Sequence, residues 1–386
     1  LADEIIDLVW SHYSLYHPRP MIVETEPSGV ITFMNDEFAS RTEYPREELV
    51  GQNINMLRSS KMESGLFTDM WNHLLEGKPW RGQIQNRTKN YRTYWIDTLI
   101  LPVFDSNGQI IKYWSLSFDI TEQQQHKEEI EHINKDITES LRYAKRIQRT
   151  ILPSKKDMDE VLEDYFVLYK PKDIVSGDFY WFAKTVNKAF LAVVDCTGHG
   201  VPGAFMSLIG YNLLNQIVLG KNVHRPGEIL SELHREIRST LKQDKDETEN
   251  KDGMDVSLLA FDRYGEGIEY AGAFRPLYWW KGDDLHVIDG DKMSIGGEQL
   301  EEERVFTNHE FEVETEHILY MFSDGLPDQF GGPEQKKFST KRLRQLIGQN
   351  HHESMSVQRA LFNIVWKEWK ADLEQTDDVT MIGIRF

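Results

Sequence analysis

Carboxylates placed where buried strands end constrain this chain more than any other feature. The stretch Phe190–Ser207, FLAVVDCTGHGVPGAFMS, begins as a short apolar run with the length and β-branched content of a buried strand. The run stops at Asp195, passes through a glycine-rich turn (Gly198, His199, Gly200) and meets Pro202 at the first position of an expected helix. A carboxylate there is costly unless a cation compensates it. A single Asp of this kind is most often a cap or a salt bridge, but the pattern recurs. HILYMF (His317–Phe322) breaks into Ser323-Asp324-Gly325, and Asp377-Asp378-Val379-Thr380 opens the closing run MIGIRF. Upstream, IVSGD ends in Asp178 and leads into Phe179-Tyr180-Trp181-Phe182. Carboxylates gathered in this way repel one another and raise each other's pKa unless a divalent cation holds them. Hard oxygen donors without nearby His or Cys ligands favour Mg²⁺ or Mn²⁺ over Zn²⁺.

The motifs SGDFYW, VVDCTGHGVPGAFMS, GMDVSLLAFD, YAGAFRPLYWW, MFSDGLPDQFGG and DDVT follow one another in the order seen in the PPM superfamily. Residues 153–386 thereby resemble its bacterial SpoIIE-like branch of serine/threonine phosphatases. The resemblance implies an α/β/β/α sandwich, two stacked antiparallel sheets flanked by helices, with two Mn²⁺ or Mg²⁺ ions in a cleft at one edge. It implies Asp195 as the bridging ligand and the Cys196 main-chain carbonyl on one ion, at a point where the family usually has Gly. Asp324 and Asp377 complete that ion's shell, and Asp178 serves the second ion directly or through water. Family position favours Asp377 over Asp378. Such a pair of ions activates a water for in-line attack on phosphorus, so no Ser or Cys nucleophile is required. The single cysteine, Cys196, has no His partner in sequence that would make it one. The implied substrate is phosphoserine or phosphothreonine on a bacterial signalling protein of the anti-sigma-factor-antagonist type.

Three further residues carry two readings each. His199 either hydrogen-bonds its own turn, the preferred reading, or touches substrate. Asp255 in GMD supports the cleft or serves a plain loop. Arg275 stands where the family often has His or Asn followed by a polar residue. It either receives a phosphate bidentately or pairs with an acidic neighbour, and the pairing is preferred.

The first third resembles a PAS sensor domain. VITFMNDEFASRTEYPREELVGQNI, FTDMWNHLLEGKPWRGQIQNRTKN, RTYWIDTLILPVFDSNGQI and SFDIT carry the resemblance over residues 20–121. It agrees with strand-like runs at 21–24, 30–34, 80–87, 93–104 and 110–118, which predict a small antiparallel sheet with helices on one side. Tyr91 follows Asn90 where many members have Gly. The DMW…GKPWRGQIQNR stretch is similar to PAS domains that hold a flavin, with Trp71, Trp80 and Asn86 as pocket residues. Core tryptophans and a structural Asn form the competing reading. No cysteine lies in this region, which excludes a cysteinyl-flavin photocycle, and His73 alone between His17 and His126 gives no basis for assigning haem. Ahead of the domain, Leu1–His17 reads as an amphipathic helix.

Between these parts, 123–151 is polar and helical in pattern. Ile130, Ile137, Ala144 and Ile151 recur every seventh residue, with Ile133 and Ile147 between them and Ser140 breaking that row. This is the signature of a short parallel coiled coil, against the alternative of one surface helix packed on a neighbour. The α+β chain therefore divides into a PAS domain with its N-terminal helix (1–121), a coiled-coil linker (122–152) and a phosphatase domain (153–386), with a homodimer through PAS and linker. A histidine kinase has the same order, but no kinase glycine boxes follow, and His126 and His132 read as solvated helix residues. The remaining rival is a catalytically silent signal-binding scaffold.

Composition narrows the partners. A net charge of −19 argues against nucleic acid, whose phosphates need a basic surface. One cysteine allows no internal disulfide and fits a reducing cytoplasm. No apolar stretch approaches the ~20 residues that span a bilayer. The chain opens on Leu1 rather than Met, which reads as an excerpt.

Overall fold

The computed structural model describes residues 19–243, 251–263, 267–297, 303–314 and 316–386. The helix expected over Leu1–His17, and most of the charged loop expected between Lys242 and Gly253, lie outside the described residues. The chain forms two compact units, Leu1–Asp136 and Ile137–Phe386.

In the first unit, β1 (Met21–Thr25), β2 (Ile31–Met34), β3 (Trp80–Arg87), β4 (Thr93–Phe104) and β5 (Ile110–Asp119) form one antiparallel sheet in the order β2-β1-β5-β4-β3. Period-2 alternation along β4 buries Tyr94, Ile96, Thr98 and Ile100 on one face. The helix Ser64–Leu75 brings Met70 and Leu74 into the same core, with Trp71 packed against it. Asn35 caps the helix Asp36–Thr42 by accepting the Phe38 N–H. Tyr91 adopts φ 61°, so the Asn90–Tyr91 turn keeps the left-handed conformation that Gly would supply at lower cost.

The helix Thr121–Ile151 spans the boundary between the units, and Ile130, Ile133, Ile137 and Ile147 along it are exposed.

The second unit contains β6 (Asp164–Lys170), β7 (Phe179–Lys184), β8 (Lys188–Cys196), β9 (Gly253–Asp262), β10 (Gly267–Ala273), β11 (Leu277–Lys281), β12 (Asp284–Ile288), β13 (Ile295–Gly296), β14 (His309–Glu312) and β15 (Ile318–Phe322). A hairpin of two-residue strands, β16 (Phe330–Gly331) and β17 (Lys336–Lys337), and the strand β18 (Val379–Arg385) complete it. One antiparallel sheet runs β14-β10-β9-β8-β7, with β13 on β9, and the other runs β12-β11-β15-β18-β6. Strand β8 is buried on both faces, so it reads as a continuous apolar run. Phe190, Ala192 and Val194 pack under the helices Gly200–Asn215 and Pro226–Thr240. Ala189, Leu191 and Val193 fill the space between the sheets with Leu319, Met321, Ile382 and Ile384. On the far side, Ile318, Tyr320 and Phe322 meet the helices Ser339–Asn350 and Met355–Lys370. Three apolar layers between four structural layers make the expected α/β/β/α sandwich.

The pattern over residues 355–373 predicts a helix with Leu361, Ile364, Val365 and Leu373 inward, and the structure differs. Met355, Gln358, Phe362 and Trp366 are buried, whereas Ile364 is exposed and the helix ends before Leu373. The two aromatic side chains, four residues apart, fill the gap over the sheet with more apolar area than the aliphatics could.

Leu191 has no exposed surface and lies between the sheets. Leu191→Ala is expected to destabilise the chain by about 3 kcal/mol in urea unfolding; an unchanged midpoint would contradict this packing.

Candidate active site

The topology brings five strand ends to one edge of the sandwich. Asp195 lies near the end of β8 and pairs in register with Asp255 near the start of β9. Asp178 immediately precedes β7, whose Phe179 faces Val194. Asp324 follows β15, and Asp377 and Asp378 precede β18. An open cleft of about 510 Å³ results, with Asp195, Asp255, Asp324, Asp377, Cys196 and Arg275 in its lining. Asp178 is not part of that lining and is almost fully buried.

Electrostatics at this edge are unfavourable for carboxylates. Burial, then the charge of Asp195, pushes the Asp178 carboxyl well above the usual range. Burial, opposed by Arg275 and reinforced by Asp324, Asp255 and Asp377, pushes Asp195 up to about 7. Burial also raises Asp255 and Asp377. Burial raises the Cys196 thiol in the same way.

Arg275 supplies the countercharge. Its Nη2 lies 2.8 Å from Asp255 Oδ2, 2.8 Å from Asp324 Oδ2 and 3.1 Å from Asp195 Oδ2. Burial works against its charge, but Asp195, Asp324 and Asp255 outweigh that and hold its pKa above the ordinary value. The arrangement matches the acidic-pairing reading of Arg275. Among the described residues, no group of His, Cys, Asp and Glu side chains stands ready to hold a metal ion as placed. The donor set nevertheless suits hard divalent cations. It is all oxygen, its members repel one another, and Asp178 Oδ2 is buried without a hydrogen-bond partner.

The two neighbouring aspartates separate clearly. Asp378 is buried, and its Oδ1 and Oδ2 accept the backbone N–H groups of Lys172 and Gly177, each at 2.7 Å. Asp377 instead lines the cleft and accepts the Asp378 N–H at 2.8 Å. Close glycine packing holds the loops around them. A Cβ on Gly203 would lie 2.3 Å from the Gly198 carbonyl oxygen and 2.7 Å from Gly177 Cα. His199 is outside the cleft lining, its Nδ1 2.6 Å from Asp173 Oδ2 and its Nε2 2.9 Å from Lys172 Nζ. Sequence reasoning passed over Ser294, whose hydroxyl donates to Asp255 Oδ1 at 2.6 Å.

In the first unit, Trp71 and Asn86 line a cavity of about 80 Å³ together with Arg58, Ile84 and Tyr113. Trp80 is not among the lining residues; its indole N–H donates to Asp69 at 2.8 Å. Pockets for drug-sized ligands are roughly 300–1,000 Å³. A flavin does not fit this cavity as it stands.

Residues 185–386 match the family described as Stage II sporulation protein E (SpoIIE). The chain belongs to the SpoIIE family. Residues 18–122 match the PAS domain. The phosphoserine phosphatase RsbU of Bacillus subtilis (strain 168) is 25% identical over 269 residues, covering 68% of this chain and 74% of RsbU. The SiaA-PP2C domain of Pseudomonas aeruginosa superimposes with a TM-score of 0.60 at 30% identity, over 66% of this chain and 98% of that one. The nitrogen fixation regulatory protein of Klebsiella pneumoniae is 33% identical over 97 residues, which are 25% of this chain. This SpoIIE-family chain matches only 20% of that relative's length.

Removing Arg275 would leave three carboxylates without their cation. Arg275→Ala is expected to destabilise the chain in EDTA by about 3 kcal/mol, read by urea unfolding. An unchanged midpoint would mean that the ion pairs are not formed in solution.

Proposed function

We propose that the chain is a sensor-regulated, metal-dependent protein phosphatase acting on phosphoserine or phosphothreonine. The observation that carries this reading is the convergence of Asp178, Asp195, Asp255, Asp324 and Asp377, from separate strand ends, on one edge of the sandwich. Asp195, Asp324, Asp377 and the Cys196 main-chain carbonyl are the residues to hold one Mn²⁺ or Mg²⁺, and Asp178 those of the other, directly or through water. When bound, two such ions activate water and stabilise phosphoryl oxygens. The protein's part is to keep the carboxylates aligned and to exclude side-chain nucleophiles. Arg275 is able to turn its guanidinium fork to a phosphoryl group once cations take over Asp195 and Asp324.

The name of RsbU supports a phosphoserine substrate, and the reading extends to a bacterial signalling protein of the anti-sigma-factor-antagonist type. PAS domain (1–121), linker (122–152) and phosphatase (153–386) act in series in the cytoplasm. The exposed isoleucine row of Thr121–Ile151 supports a homodimer, since a second copy would cover it as a coiled coil. The silent scaffold keeps one observation in its favour: Arg275 already pairs with Asp195, Asp255 and Asp324.

Phosphate release from a phosphoserine peptide separates the two readings. The phosphatase releases phosphate with Mn²⁺, stops in EDTA and loses at least about a hundredfold in kcat in Asp324→Asn. No Mn²⁺-dependent release from the full chain or from the second unit, Ile137–Phe386, would favour the scaffold. For the dimer, Ile137→Glu is expected to give a monomer in light scattering where the wild type is a dimer. Equal masses for the two proteins would contradict coiled-coil pairing.

A further inference from the structure

Gln148 is the one buried residue of the helix Thr121–Ile151. Ile147, its neighbour in sequence, belongs to the exposed row, whereas Gln148, about 100° further round the helix, is buried within the second unit. There its amide takes both backbone hydrogen-bonding groups of a single residue. Oε1 accepts the Ser176 N–H at 3.1 Å, and Nε2 donates to the Ser176 carbonyl at 2.6 Å. Nε2 also donates to Ser207 Oγ at 2.9 Å, on the helix Gly200–Asn215. An amide offers donor and acceptor side by side. A Glu carboxylate would lack the donor, and Asn is one methylene shorter.

What Gln148 holds is the segment that ends in Asp178. Ser176 is followed by Gly177, whose N–H donates to Asp378 Oδ2. A Cβ on Gly177 would lie 2.4 Å from the Gly198 carbonyl oxygen and 3.3 Å from that of Cys196. Ser176-Gly177-Asp178 is therefore gripped from three sides: by the helix amide, by Asp378, and by the turn that follows Asp195. Two of these grips come from elements of the cleft edge itself. The third comes from a helix that also carries an exposed apolar row.

We propose that Gln148 is a positioning residue for Asp178, tying the placement of that carboxylate to the seating of the linker helix. This rests on the reading of the cleft as a divalent-cation phosphatase site. A helix seated as here presents Asp178 to the acidic edge; a helix rotated or withdrawn releases Ser176 and lets the Asp178 segment relax away from Asp195. The exposed apolar row on the same helix gives a second chain a means of setting it, and the amide transmits that setting.

The test uses the full chain as wild type, Q148M, Q148E and S207A, with Mn²⁺ as the probe. Calorimetry gives Mn²⁺ affinity, urea unfolding in EDTA gives stability, and a phosphoserine peptide gives kcat and KM. Both Gln148 variants are expected to bind Mn²⁺ about 10–100-fold more weakly, with kcat falling and KM little changed, whereas S207A stays within about twofold of wild type. Folded Q148M and Q148E with wild-type Mn²⁺ affinity would overturn the proposal. If Q148M does not fold, Q148E decides by the same measurement, and failure of both to fold would overturn it by assigning Gln148 to the core alone. A wild type that binds no Mn²⁺ overturns this proposal together with the phosphatase reading. A wild type that binds Mn²⁺ but releases no phosphate contradicts only the latter, and the affinities still decide the role of Gln148.

Discussion

Mutual repulsion among carboxylates that the fold forces together is the constraint on which the rest of the second unit depends. Strands β8, β9, β15 and β18 and the start of β7 bring their acidic residues to one edge because the sandwich fixes strand register. Asp195 opposite Asp255 cannot be relieved by sliding one strand along the other. A one-residue slip would turn every apolar side chain of β8 to the wrong layer. The repulsion therefore has to be met by positive charge. Arg275 meets part of it at Asp195, Asp255 and Asp324, but Asp178, buried with an unpartnered oxygen, stays outside that guanidinium's reach. This edge therefore carries more carboxylate oxygens than the one guanidinium pairs with.

Around this edge, the groups that do not face the cleft act as a frame. Asp378 uses both carboxylate oxygens on backbone N–H groups of the segment between β6 and β7. It thereby joins the start of β18 to the approach to Asp178, about 200 residues away in sequence. Gly177 and Gly203 let their backbone segments touch each other and the Gly198 carbonyl where any side chain would intrude. Gln148 closes the frame from the helix side. Asp195, Asp255, Asp324 and Asp377 thus line the cleft beside a framework held by hydrogen bonds.

Much of this was legible in the sequence because it depends on local pattern. Phe190–Val194 reads as a strand from its length and branching, and the abrupt change to Asp195 marks the strand's end whatever the fold. The PAS strands read from alternation, with boundaries within a residue or so of the observed ones. Legibility ends where partners are distant. Sequence could prefer Asp377 over Asp378 as the residue facing the cleft only by resemblance, whereas the structure separates them through bonds to Lys172 and Gly177. Arg275 could be weighed between phosphate and acid but not given its three partners. Gln148 gave no signal, since a polar residue beside a heptad row is indistinguishable from a solvated one. Ile364 and Trp366 both looked apolar enough for the core, and only the packing against the sheet chose the tryptophan. Trp80, expected beside Trp71 in the PAS cavity, instead bonds Asp69, a partner eleven residues away that alternation along the strand does not specify.

The central claim is that the acidic edge exists to hold divalent cations in place of Arg275. A crystal structure of the full chain grown with Mn²⁺, with anomalous data collected at the manganese edge, addresses it directly. The account predicts manganese density in the cleft in contact with Asp195, with the Arg275 guanidinium displaced from Asp195 and Asp324. A cleft without manganese density at saturating Mn²⁺, with Arg275 still bridging Asp195, Asp255 and Asp324, would contradict it.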